Sequence, residues 1–106
     1  MKKIQLDFRK ITSIEHFHSE MKSIMGFPDF YGANVNALID CLSSMRYPDE
    51  GMSKITLSLT EILLIEVIGL SQSNVVILNN LLVAIENVNN RELSRGRTPS
   101  IYMCML

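Results

Sequence analysis

Apolar and polar residues alternate from Lys3 to Phe8, with Ile4, Leu6 and Phe8 on one side and Lys3, Gln5 and Asp7 on the other, the pattern of a half-buried strand. The period then lengthens. Ile14, Phe17, Met21 and Ile24 recur at helical intervals, Thr12 and Glu15 have the spacing of a capping box, and Gly26 offers a left-handed stop, which together predict a helix over 13–25. Phe27-Pro28-Asp29-Phe30-Tyr31-Gly32 reads as an aromatic loop in which Pro28 bars a helix and Gly32 permits an unusual backbone angle. Asn34 is a good N-cap for a second helix over 35–45. At about 100° per residue, Val35, Leu38, Leu42 and Met45 form its core stripe and Asn36, Asp40 and Ser43 its outward face, with Ile39 between.

Tyr47-Pro48-Asp49-Glu50-Gly51 has turn chemistry. Beyond it, Ile55, Leu57 and Leu59 alternate with polar residues as a second strand would, and Thr60 and Gly69 can bracket a short helix over 61–68. A longer helix is predicted over 74–93, although Val75-Val76-Ile77-Leu78 alone is equally strand-like. Asn79, Asn80, Asn87, Asn90 and Arg91 lie on its wet side. A polar, basic loop over 94–99 leads to a final strand over 101–106. The order β-α-α-β-α-α-β predicts an α/β fold, a small three-stranded parallel sheet joined by right-handed crossovers and flanked by about four helices. At 106 residues it reads as one domain spanning 1–106.

Composition narrows the class. Hydrophobic residues make up 47% and charged residues 20%, which is globular, and the net charge of −1 lacks the basic excess of a nucleic-acid binder. Seven methionines and no tryptophan predict a core filled partly by flexible side chains. Residues 29–66 carry six acids against two bases, but counts alone favour scattered, solvated carboxylates. Cys41 and Cys104 lie in apolar stretches and read as packed thiols. Met1-Lys2-Lys3 is followed by no long apolar run, and 62–70 is too short and too charged to span a bilayer, so a reducing cytoplasm is the expected location, with no membrane role.

Enzyme chemistry finds little support. His16 and His18 stand two apart on a helix, point to different faces and read as surface residues, and no metal-ligand set is discernible. Cys41 with a histidine could be imagined as a nucleophile, but it falls beside the core stripe. Gly32, Gly51 and Gly69 stand singly and form no phosphate loop, and no cofactor motif is present. Arg91, Arg95 and Arg97, near a helix C-terminus, answer the helix dipole.

Residues 27–42 are more distinctive. An aromatic pair is followed by Tyr-Gly-x-Asn-x-x-Ala-Leu-x-Asp-Cys-Leu, and this segment resembles the barstar family closely. The resemblance implies the same element order and a non-enzymatic role: an inhibitor that covers the active site of a ribonuclease in a 1:1 complex. The partner would be an extracellular-type ribonuclease or related nuclease toxin, with the chain as the immunity protein of a toxin–antitoxin pair. Carried over residue by residue, it implies a partner-binding surface of Phe30, Tyr31, Gly32, Asn34, Val35, Asn36, Ile39, Asp40 and Ser43. Asp40, the one acid on the outward face of that helix, would occupy the place of a substrate phosphate, which requires its carboxylate to be free of its own chain.

Departures from the family pattern shape the expectation. A family aspartate falls on Asn36, a tryptophan on Ile39 and the first tyrosine of the pair on Phe30. Glu86 or Asn87 lies nearest to the family's acidic contribution from the later helix, and the basic Arg91 follows. The face is therefore less acidic and less aromatic, which implies either a reduced affinity for a barnase-like enzyme or, the favoured reading, a different toxin whose site is less cationic. The alternative is a barstar-like interaction module with no nuclease target.

Overall fold

The computed structural model describes residues 1–106. Its elements run β1 (Lys2–Asp7), α1 (Ile14–Met25), α2 (Val35–Ser43), β2 (Leu63–Ile68), α3 (Val75–Ser94) and β3 (Ile101–Met105), with short 3-10 turns at Pro48–Glu50 and Gln72–Asn74. The sheet is parallel throughout, and β2 lies between β1 and β3, so that Lys3, Leu64 and Tyr102 are level with one another. Both crossovers step the same way across the sheet, and right-handed connections then put all three helices on one face. Exposure agrees: Ile4, Leu6, Leu63, Ile65, Val67 and Ile101 are buried, while Lys3, Gln5 and Tyr102 on the opposite face are exposed.

The core is the apolar stripe of each helix laid on that sheet face. Phe17, Met21 and Met25 come from α1, Leu38, Ile39 and Leu42 from α2, and Ile77, Leu81, Ala84 and Val88 from α3. The last four recur at intervals of three and four, as an amphipathic helix requires. Three of the seven methionines, Met21, Met25 and Met45, are fully buried, filling gaps as flexible side chains do.

Four local expectations are corrected. Residues 55–59 form no strand: Lys54 and Ile55 donate to the carbonyl of Met25, and Leu57 donates to that of Met45, so the segment is an extended strap across the ends of α1 and α2. The central strand is 63–68 instead of a helix. Its β-branched Ile65, Val67 and Ile68 suit a strand flanked on both sides, and Gly69, at φ 73°, ends it. Ser13, and not Thr12, caps α1, its Oγ accepting from the His16 N–H at 3.0 Å. The left-handed residue of the aromatic loop is Ala33, at φ 51°, and Gly32 keeps an ordinary backbone.

One buried ion pair fixes how α2, α3 and the sheet meet. Arg46 follows α2 and is 1% exposed at its side chain, and Glu92 near the end of α3 is 3% exposed; the two pair at 3.0 Å. The Arg46 guanidinium also donates to the carbonyls of Glu61, Thr98 and Pro99, just ahead of β2 and β3. Glu92 accepts a second hydrogen bond from the Tyr47 hydroxyl at 2.8 Å, and Arg95 lies 4.5 Å over the Tyr47 ring. Removing one member of such a pair leaves a buried charge and several carbonyls unmatched. Arg46→Met is expected to cost about 3–5 kcal/mol in chemical denaturation, and a loss under about 1 kcal/mol would contradict the clamp.

Candidate partner-binding site

The aromatic loop begins where α1 stops. Gly26 closes the helix at φ 69°, its N–H donating to Lys22, and a Cβ there would lie 2.6 Å from that of Lys54, so both the backbone turn and the close strap require glycine. Phe27 turns inward and is buried. Tyr31 is drawn after it: its ring centroid lies 4.9 Å from that of Phe27, and its hydroxyl is 2.6 Å from Nδ1 of His18. With Phe27 and Tyr31 holding the loop down, Phe30 between them projects outward and is 75% exposed. The Tyr31 hydroxyl is therefore spent on α1 and not offered to a partner. Burial raises the Tyr31 phenol above its ordinary range and depresses the His18 imidazole, an effect that the Glu15 carboxylate partly opposes.

The loop passes into α2 through two backbone devices. Ala33 occupies the left-handed region, which costs a non-glycine residue about 1–2 kcal/mol. Asn34 then caps the helix, its Oδ1 accepting from the Ala37 N–H at 2.8 Å. Beyond the cap, Asn36 and Asp40 stand exposed, with Ser43 half-buried one turn further along the same face. Val35 is half-buried against the core, and Ile39, only 7% exposed, belongs to the core. Its helical phase turns Ile39 toward the core and leaves it little surface to offer a partner.

Asp40 is 63% exposed at its side chain, but it is not free of its own chain. Nη1 of Arg91, from α3, lies 3.0 Å from Oδ1 of Asp40 and 3.1 Å from Oγ of Ser43. The second carboxylate oxygen of Asp40 has no hydrogen-bond partner in the chain. Arg91 was placed correctly on the wet side of α3, but its pairing partner was not foreseen. Glu86 and Asn87 are exposed, and Asn87 turns its amide back to the Val83 carbonyl.

Other candidate chemistry is dispersed. Cys41 is buried beside Leu42, and burial, with the nearby Asp40 charge, pushes its thiol up to about 11, far from a reactive thiolate. His18 is buried, contrary to its reading as a surface residue, and is committed to Tyr31. No three His, Cys, Asp or Glu side chains come within reach of a common metal ion, and no helix is long and apolar enough to cross a membrane. Two residues that organise the site, His18 and Arg91, had weak sequence signals. His18 directly follows the core residue Phe17, which left its burial ambiguous, and the Arg91 contact joins elements far apart in the chain.

The His18–Tyr31 contact has a pH signature. An unfolded histidine titrates near 6.5, and the folded one is held lower. Below 6.5 the unfolded chain binds the extra proton first, so stability present above that value declines as pH falls through the window. Thermal midpoints taken on either side of 6.5 are expected to show this decline in the wild type and a smaller one in His18→Gln. Equal slopes would remove His18 from the pH response.

Comparison with known proteins bears directly on this geometry. Over 43 residues, the chain is 46% identical to the Bacillus subtilis (strain 168) protein named "Putative ribonuclease inhibitor YrdF". That match covers 41% of this chain and 47% of the relative, so it spans less than half of either. A family model described as "Barstar (barnase inhibitor)" matches residues 1–97, taking in β1 through α3 and the first half of the loop after it. With the parallel three-stranded sheet and the loop–helix segment in agreement, the chain belongs to the barstar family.

Proposed function

We propose that this protein is a ribonuclease inhibitor that occludes the enzyme's active site with the loop from Phe30 to Asn34 and the outward face of α2. The observation that carries the reading is the exposed Asp40 carboxylate, paired with Arg91 through Oδ1 but with Oδ2 open to a partner, so that the freedom the role requires is met by one oxygen and not by both, on a helix capped at one end and clamped through Arg46 beyond the other. A ribonuclease must grip phosphate oxygens, so its cleft presents cationic donors. A carboxylate delivered on a rigid helix can occupy that position and accept charge-assisted hydrogen bonds, with little ordering entropy lost on docking. Phe30, exposed on the adjoining loop, is the apolar group available to exclude water beside that contact.

The surface then comprises Phe30, Gly32, Asn34, Asn36, Asp40 and Ser43, with Tyr31 and Val35 contributing their exposed edges. No step of catalysis is assigned to the chain. In the cell it would act as the immunity partner of a secreted or toxin-type nuclease, in a 1:1 complex burying on the order of 800 Å² on each side. Family membership and the printed name of the Bacillus subtilis relative support this direction.

The test is direct titration against barnase and other secreted bacterial ribonucleases, read as loss of RNA cleavage. Where a tight complex forms, Asp40→Ala is expected to weaken it by about 2–5 kcal/mol, roughly thirtyfold or more in Kd, with the melting temperature nearly unchanged. An unaltered dissociation constant would take Asp40 out of the mechanism.

A further inference from the structure

Asp40, the acid on which the proposed surface turns, already has a cation beside it, and that cation belongs to the same chain. Nη1 of Arg91 bridges Oδ1 of Asp40 and Oγ of Ser43. The contact is pre-set by the fold: Glu92, the next residue along α3, is buried against Arg46, three residues beyond the end of α2. The helix that presents Asp40 and the helix that presents Arg91 are therefore tied together close to the pair, at the residue next to Arg91 and at the segment that leaves α2.

Both partners nonetheless remain open outward, Arg91 46% exposed and Asp40 63% exposed at their side chains. Oδ2 of Asp40 is unused, and of the Arg91 guanidinium only Nη1 is hydrogen-bonded within the chain. Nothing nearby on α2 tips the balance back toward negative charge, because Asn36 and Ser43 are neutral. On α3, Asn87, one turn before Arg91 on the same side, is neutral too, and Arg95, one turn after it, is drawn to Glu92 and the Tyr47 ring. The patch thus presents an acid and a base together, with no net charge.

We propose that Arg91 is a specificity-determining residue of this surface, selecting ribonucleases that offer Asp40 a cation and Arg91 a carboxylate side by side. The proposal rests on the reading of α2 as an inhibitory surface and names the chemistry of its partner. An enzyme whose cleft rim carries only cations meets Asp40 half-neutralised and pushes a like charge against Arg91, which a desolvated interface penalises heavily. An enzyme with a carboxylate next to its phosphate-binding cation completes a four-membered alternation of charge, using the oxygen and the N–H groups that the chain leaves free. Discrimination then comes from the repulsive element as much as from the attractive one.

Barnase, the enzyme that the family description names, serves as the probe, with inhibition constants measured for the wild type, Arg91→Ala, Asp40→Ala and the double variant. Arg91→Ala is expected to bind barnase about tenfold more tightly or better, and that gain is expected to vanish in the Asp40→Ala background. Melting temperatures should barely move, since the pair is exposed. Against single Lys→Glu and Arg→Glu variants around the barnase active-site rim, at least one should gain affinity for the wild type while losing affinity for Arg91→Ala. If Asp40→Ala weakens binding but Arg91→Ala does not strengthen it, or if the gain persists without Asp40, the role of Arg91 is overturned and the inhibitory surface stands. If every glutamate variant weakens both proteins alike, the carboxylate requirement falls. If no folded variant binds barnase or any other secreted ribonuclease, the parent reading falls with it.

Discussion

Arg46 makes five hydrogen bonds from a side chain that water scarcely reaches, and each ends on a different part of the frame or doubles one that does. The carbonyl of Glu61 precedes the central strand, those of Thr98 and Pro99 precede the edge strand, and Glu92 lies in the last turns of α3. Burying a guanidinium is unfavourable unless nearly all of its donors are matched, so the position of Arg46 leaves little latitude to the groups around it. Because Arg46 comes three residues after α2, that lack of latitude passes to the helix carrying Asp40. The orientation of the Asp40-bearing face relative to the sheet follows from a buried charge just beyond the C-terminal end of the helix.

The aromatic loop is over-determined in a similar way. Tyr31 is held by a ring contact with Phe27 and a hydrogen bond to His18, and Asn34 anchors the other end through the first turn of α2. Between them Ala33 sits at a positive φ, a conformation that a free chain avoids and that only fixed flanks maintain. Strain of this kind at the edge of a binding surface is consistent with a loop shaped before any partner arrives. Such a loop loses less entropy on docking than a mobile one would.

Periodicity disclosed those parts of the fold where one face is wet and the other dry: β1, α1, α2 and α3 emerged within a residue or two of their true limits. It failed at 55–68, for a physical reason. Ile55, Leu57 and Leu59 alternate like a strand, but Ile55 and Leu57 bond to the residues that end α1 and follow α2, and the true central strand has apolar residues on both faces, so neither period is visible in it. Within the site, the Asn34 cap and the outward side of Asp40 could be read because local spacing fixes them, whereas Phe30 is singled out only by the family resemblance. Ile39 lies at the boundary of the core stripe, where small rotations decide which side a residue takes, and the fold turns it inward. The pairing of Arg46 with Glu92 and of Asp40 with Arg91 joins residues 46 and 51 positions apart, and no local pattern encodes contacts of that range.

The two long-range pairs differ in what water does to them. Arg46 and Glu92 are sealed off, and their attraction is spent on holding helices in place. Asp40 and Arg91 stand in solvent, where an ion pair contributes about 0–1 kcal/mol and little would be lost by parting them. A partner that covers the pair changes its standing, since it removes the water that had been solvating Oδ2 and the free guanidinium N–H groups. Each of those atoms must then find a complement on the incoming surface or remain unmatched at a cost of about 1–3 kcal/mol. A site weak as a source of stability is for that reason demanding as a recognition element, and the demand is for a donor and an acceptor together. With Asn36 where the family pattern has an aspartate, no second carboxylate on α2 relaxes it.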